Sequence, residues 1–349
     1  MGRRGAVFVF ALLAVFPSPA GAAFPGQPGK IAFISLDSGN RVTTEYENGA
    51  GSQYVTPPDF DAFGPEWSAD GQRLVFAGNP RSNLLRDIWV VDEDGTDLAP
   101  LTTTGESRNP SWSPDGTKIA FDHNVTGVGR RIFVMNADGT GATPIATGID
   151  PTWSPDGSKI AYATSSGLGS EIRVTSPEGS ADAPLIAPPA NVGYREPDWS
   201  PDGTKLAFTS ISGSRTNVEV VRADGTGHQI LILSPQGCAC ESPAWSPDGY
   251  FILVWKAETT ATIWKLSSAG GFMDRMPMAG YEPSWQPIPG ITGYPRPKGA
   301  SPDHMYLVPA YVECIDPNEQ HGPPLAEGSC APPVRKSAHL TIGTADANG

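Results

Sequence analysis

A motif built on Trp-Ser-Pro-Asp-Gly recurs along the chain and restricts its fold more than any other feature. The copies are Pro65-Glu-Trp-Ser-Ala-Asp-Gly71, Pro110-Ser-Trp-Ser-Pro-Asp-Gly116, Pro151-Thr-Trp-Ser-Pro-Asp-Gly157, Pro197-Asp-Trp-Ser-Pro-Asp-Gly203, Pro243-Ala-Trp-Ser-Pro-Asp-Gly249 and the curtailed Pro283-Ser-Trp-Gln-Pro287. Their tryptophans, Trp67, Trp112, Trp153, Trp199, Trp245 and Trp285, fall 45, 41, 46, 46 and 40 residues apart. That is the period of four-stranded propeller blades. Helical repeats of similar length are excluded by local chemistry, because Ser-Pro-Asp-Gly places Pro second in a tight turn and Gly where positive φ is needed.

A short strand follows each turn, as in Lys118-Ile-Ala-Phe121, Lys159-Ile-Ala-Tyr162 and Lys205-Leu-Ala-Phe208. A second follows it, as in Asp87-Ile-Trp-Val-Val-Asp92, Arg131-Ile-Phe-Val-Met-Asn136 and Asn217-Val-Glu-Val-Val-Arg222. Asp94-Gly95, Asp138-Gly139, Glu178-Gly179 and Asp224-Gly225 then supply another hairpin and an outer strand such as Ala99-Pro-Leu-Thr102. Each repeat therefore reads as four antiparallel strands.

The two ends carry complementary defects. Pro28-Gly-Lys-Ile-Ala-Phe33 starts without a preceding Trp strand, whereas Trp285 lacks the Asp-Gly turn and the strands after it. Pairing the carboxyl-terminal strand Glu282 to Gln286 with the segment Lys30 to Val55 closes the ring and removes an open edge. The expected fold is an all-β, six-bladed β-propeller of four-stranded antiparallel blades over residues 23–288, closed by its N- and C-terminal strands and followed by a partial β segment.

These residues resemble the TolB-like, WD40-like propeller repeats with a Trp-Ser-Pro-Asp-Gly signature, over roughly residues 29 to 287. The resemblance implies a propeller used as a protein-binding platform, as a gating domain of a peptidase or as a lyase, so the fold alone leaves the function open. TolB itself carries an α/β domain ahead of its propeller, where only Ala23 to Pro28 stand here, and it lacks a tail like the one after Pro289. Its envelope-coupling role is therefore not implied.

At the amino terminus, Arg3 and Arg4 precede the apolar run Ala6 to Phe16 and the small-residue site Ala20-Gly21-Ala22. Residues 1–22 read as a signal peptide, the run being too short to span a bilayer. The expected product begins at Ala23, is exported to the periplasm or outside the cell, and does not insert in the membrane after cleavage. The chain holds 24 basic and 37 acidic residues, a net charge of −13, and cleavage removes two more positive charges. Nucleic acid is not an expected partner. The 40 Gly and 36 Pro would suit a disordered chain, but nine Trp and regular apolar runs suit short strands joined by tight turns.

Residues 289–349 open with the linker-like Pro289-Gly-Ile-Thr-Gly-Tyr-Pro-Arg-Pro-Lys298 and continue through the strand-like Met305 to Val312. They read as the incomplete start of a second β domain. Four cysteines in an exported chain favour disulfides. Cys314 with Cys330 is the expected bridge, stapling a weakly cored tail. Cys238 and Cys240 leave two readings open, a strained disulfide or half of a soft-metal site.

No catalytic constellation is legible. A Gly-x-Ser-x-Gly elbow is missing, and the five histidines, His123, His228, His304, His321 and His339, fall at unrelated repeat positions or in the tail. The repeated Asp70, Asp115, Asp156, Asp202 and Asp248 read as turn chemistry, since each blade would need the same local bonds. Asp92-Glu-Asp94-Gly-Thr-Asp97 lacks the terminal Glu of a calcium loop. No metal or cofactor is expected.

The repeat stops being uniform at the residue before the motif proline, which reads Gly64, Asn109, Asp150, Glu196, Ser242 and Glu282, with Arg108 and Arg195 one residue earlier in two copies. Each would stand near one mouth of the central channel, at a position where the fold demands nothing specific. Asp150, Glu196 and Glu282 there suit a cation or a basic peptide end. The leading expectation is a non-enzymatic scaffold for a protein or peptide partner. The alternatives are a divergent hydrolase or lyase acting on peptide or acidic sugar, and a structural domain of a larger surface protein.

Overall fold

A computed structural model of the chain describes residues 27–288, apart from 37–38, 82, 84, 232–239, 258–259 and 271–272, and beyond them the pairs 313–314 and 336–337. The expected signal peptide, Cys238, Cys330 and the side chain of Cys314 lie outside the described residues. Two compact units are separated, residues 1–293 and 294–349.

The first unit is all β among its described residues. It begins with β1 (Gln27–Ser35), β2 (Arg41–Glu45) and β3 (Gln53–Tyr54). Four discrete blades follow, each a four-stranded antiparallel sheet in chain order. They are β4 (Phe60–Trp67), β5 (Arg73–Pro80), β6 (Asp87–Asp92) and β7 (Ala99–Pro100); β8 (Ser107–Trp112), β9 (Lys118–Val125), β10 (Gly129–Asn136) and β11 (Thr143–Thr147); β12 (Ile149–Trp153), β13 (Ile160–Ala163), β14 (Ile172–Thr175) and β15 (Ala183–Ile186); and β16 (Gly193–Trp199), β17 (Lys205–Ser212), β18 (Arg215–Arg222) and β19 (Gln229–Ile230). The remaining strands are β20 (Cys240–Trp245), β21 (Phe251–Ala257), β22 (Ala261–Ser267) and β23 (Met273–Ile288).

The expected count of six separate blades is corrected here to four. The other strands merge into one seven-stranded sheet, ordered β20-β21-β22-β23-β1-β2-β3. The cause is β23, 16 residues long and unbroken, whose first part pairs with β22 (Leu266↔Met273 to Thr262↔Ala279) and whose second part pairs with β1 (Ser35↔Gly280 to Gln27↔Ile288). The first and last strands of the propeller are thereby hydrogen-bonded, which leaves no free edge at the seam.

The motif explains both the turns and the packing. In Ser113-Pro-Asp-Gly116, Gly116 N donates to Ser113 O at 2.9 Å, and Asp115 Oδ1 accepts from Ser113 Oγ at 2.6 Å and from Thr117 N at 3.0 Å. Equivalent bonds surround Asp156, Asp202 and Asp248. Burial works against the Asp115 charge, but these donors outweigh it and hold its pKa below the ordinary value. Six apolar clusters form among the described residues, and each contains one motif tryptophan. Trp112, for example, is fully buried with Val75, Ala77 and Ile88 of the preceding blade and Ile119 and Phe121 of its own.

The Asp-Gly hairpins lock neighbouring blades. Gly139 has φ +84°, and a Cβ there would lie 2.5 Å from Leu101 O of the preceding blade. In the second unit β24 (Glu313–Cys314) pairs with β25 (Lys336–Ser337). The expected strand at 305–312 lies outside the described residues.

Candidate functional site at the channel mouth

Each inner strand carries the same irregularity at the motif proline. Its register against the second strand slips between Phe63 and Glu66, Arg108 and Ser111, Ile149 and Thr152, Arg195 and Asp198, and Glu241 and Ala244. Proline has no N–H to give the ladder, and the residue before it turns left-handed. Its φ is +55° at Gly64, +48° at Asn109, +54° at Asp150, +53° at Glu196, +50° at Ser242 and +53° at Glu282.

The expectation that the fold demands nothing of this position is therefore wrong. A positive φ favours Gly, Asn and Asp, which three of the blades use, and costs Glu196, Ser242 and Glu282 roughly 1–2 kcal/mol each. Strain of this kind persists where surrounding bonds enforce it.

Those bonds pass from blade to blade. Asp150 Oδ2 accepts from Glu196 N at 3.2 Å, Glu196 Oε2 from Ser242 N at 2.9 Å and Glu282 Oε2 from Gly64 N at 2.7 Å. Asn109 Nδ2 donates to Asp150 Oδ1 at 2.6 Å. Each carboxylate thus fixes the turned backbone of the next motif strand.

A second relay lies at the residue before each Trp. Glu66 Oε1 accepts from Trp112 N at 2.8 Å and Ser111 Oγ at 3.2 Å, Ser111 Oγ accepts from Trp153 N at 3.3 Å, and Asp198 Oδ2 accepts from Trp245 N at 2.7 Å. A third set buttresses the turned residues from the second strand. Asp122, fully buried, accepts from Asn109 Nδ2 at 2.9 Å and Asp150 N at 3.3 Å; Thr209 Oγ1 donates to Glu196 Oε2 at 2.9 Å; Trp255 Nε1 donates to Ser242 Oγ at 3.2 Å.

Glu66, Asp198, Asp122 and Thr209 were not singled out from the sequence. A signal existed: the residue before Trp varies as freely as the one before Pro, and Asp122 is a charged residue directly after the apolar Ile119-Ala-Phe121.

All six turned residues line one cavity of about 390 Å³, with Arg108, Arg130 and Arg195 beside them. Burial raises Glu66 to about 8 and Asp198 and Glu282 to about 7, against the hydrogen bonds each accepts. Burial, then the charges of Glu196 and Asp122, push Asp150 well above its ordinary value. Arg195 pairs with Glu241 at 2.7 Å and Glu196 at 3.6 Å. Arg130 pairs with Asp122.

Asp150, Glu196 and Glu282 share this cavity but not a single point within it. Among the described residues no three His, Cys, Asp or Glu side chains are grouped to hold a metal ion. His123 sits on β9, its Nδ1 3.1 Å from Ser107 Oγ, and His228 pairs with Glu219 in another blade. Glu219 stands between His228 and Ser210, whose Oγ donates to it at 2.5 Å, so the imidazole does not reach the hydroxyl. Cys240 is buried and disulfide-bonded, which removes it as a thiolate metal ligand.

Comparison with known proteins agrees with this architecture. Residues 21–176 match the TolB beta propeller domain family. The chain carries a β-propeller similar to that of TolB. The Tol-Pal system protein TolB of Zymomonas mobilis is 33% identical over 82 residues, 24% of this chain and 18% of the relative. That of Nitratidesulfovibrio vulgaris is 43% identical over 51 residues, 14% of this chain and 11% of the relative. The matched stretches thus span less than a fifth of those relatives. The crystal structure of TolB from Acinetobacter baumannii superposes with a TM-score of 0.65 at 21% identity, covering 76% of this chain and 69% of that one. At that identity the likeness establishes the fold of the TolB-like propeller and no more.

Proposed function

We propose that this TolB-like propeller is an exported, non-enzymatic scaffold that holds a protein partner at the mouth of its channel. One observation carries the reading: six motif strands turn a residue left-handed at the same cavity, and three of those residues are types that adopt the conformation at a cost. Strain retained at converging polar positions supports a binding role for them. Relatives described as Tol-Pal system proteins support a partner in the cell envelope, and the leader-like residues 1–22 support export.

The test is capture of envelope proteins by the full chain and by a Asp150→Asn, Glu196→Gln, Glu282→Gln variant. The amides keep one acceptor oxygen each, enough for the bonds from Glu196 N, Ser242 N and Gly64 N although residue 150 gives up its bond from Asn109, so the variant is expected to fold and to lose the captured partner. Full retention of that partner would contradict the assignment to the channel mouth. Turnover of peptides or polyuronides above a boiled control would contradict the non-enzymatic reading.

A further inference from the structure

The mouth can be assigned a charge and a face. Inner strands start at the end where second strands finish, as the pairs Phe60↔Pro80, Ser107↔His123 and Ile149↔Ala163 show. The hairpin tips joining second to third strands therefore surround the mouth. Those tips carry exposed aliphatic side chains in four successive sectors: Leu36 after β1, Leu85 after β5, Val128 after β9 and Leu168 after β13, the last two 63% and 56% exposed. Placed along one side of a polar depression, they give this face apolar as well as polar groups for a partner to bury.

On that face two arginines lack full compensation. Arg86 is half-buried, its guanidinium carbon 3.5 Å from the centroid of the Phe63 ring; its backbone O accepts from Ser107 N at 3.0 Å, which sets it beside Arg108, and its side chain makes no hydrogen bond or ion pair among the described residues. Arg108 has a buried Nε without a partner, and its nearest carboxylate, Glu106 at 3.8 Å, is shared at the same distance with Arg130. Of the acids nearby, Asp122 pairs with Arg130, and Glu282 accepts from Gly64 N and acts on Arg86 through its charge without bonding it. Burial, then the Arg108 charge, lowers the Arg86 pKa.

We infer that this face docks a protein segment presenting a carboxylate flanked by apolar side chains, with the carboxylate between Arg86 and Arg108. A guanidinium held against an aromatic face keeps its N–H edge free for bidentate contact with a carboxylate. The inference rests on the scaffold reading above but reverses the sign expected from the sequence, where the carboxylates suggested a basic ligand. Those carboxylates already accept hydrogen bonds from the fold, whereas the Arg86 guanidinium and Arg108 Nε hold donors without an acceptor among the described residues.

The test uses a fluorescein-labelled twelve-residue peptide of alternating Leu and Glu, and its Leu/Lys counterpart, titrated into the full chain at about 50 mM salt, where exposed charges are weakly screened. The Leu/Glu peptide is expected to bind more tightly than the Leu/Lys peptide. Arg86→Gln with Arg108→Gln should weaken it at least tenfold, and Val128→Ser with Leu168→Ser several-fold. Arg222→Gln, the last residue of β18 at the opposite end of its blade, should leave it unchanged. Should the double arginine variant not fold, Arg86→Gln alone supplies the comparison. Equal affinity in the arginine variants, or tighter binding of the Leu/Lys peptide, would overturn the inference. If that happens while the channel-mouth variant still loses its captured partner, the carboxylate assignment fails and the scaffold reading stands; loss of neither defeats both.

Discussion

A left-handed backbone serves two different purposes in this chain, and substitution separates them. Gly116 has φ +67° with nothing within 4 Å of an added Cβ, whereas at Gly139 the Cβ would press on Leu101 O. Gly116→Ala should cost about 1 kcal/mol, roughly 3 °C of melting temperature. Gly139→Ala should cost at least twice as much, because the neighbouring blade must also move; equal losses would show that the inter-blade contact is not tight. The buried acids give a second residue-level prediction. Burial raises Glu66 from 4.5 to about 8, so the folded state keeps a proton that the unfolded chain releases earlier. Stability from this group is complete below pH 4.5 and declines as pH rises towards 8. Glu66→Gln should therefore leave the midpoint near pH 5 almost unchanged and raise it by several degrees at pH 8. Parallel melting curves at both pH values would contradict the buried, protonated state. Turn aspartates such as Asp115 were legible in the sequence because their bonds are local. The roles of Asp150, Glu196 and Glu282 were legible only as variation, since the bulge that turns them and the amides they hold belong to neighbouring strands.

At the scale of strands, the repeat announced each inner strand through its turn chemistry, and the seam was read correctly as a pairing of the two ends. What the sequence hid was the continuity of β23. Pro277, Gly280 and Pro283 lie within it, residue types that weaken or end strands, but its register slips against both β22 and β1, and the strand absorbs them without ending. Deleting Glu282 to Gln286 should remove the partner of β1 and lower the melting temperature by more than 10 °C, given the roughly 2–4 °C per kcal/mol of a domain this size. Truncation after Pro289 should change it by a few degrees at most. Comparable losses in the two deletions would refute the closure by β1 and β23.

As a whole the protein is acidic, yet the face that carries the mouth combines an arginine pair holding unused donors with exposed aliphatic tips. Composition predicted the first property and not the second, because Arg86 and Arg108 come together only through the stacking of blades and successive tips lie 40 to 49 positions apart in the chain. The account stands on that face being the docking surface. Photo-crosslinking residues placed at Val128 and Leu168, and on the opposite ends of blades at Tyr46 and Tyr250, test it most directly when the full chain is expressed in its own cells. Crosslinks to the same protein from Val128 and Leu168, with none from Tyr46 or Tyr250, are the predicted result. Crosslinks confined to Tyr46 and Tyr250 would contradict it.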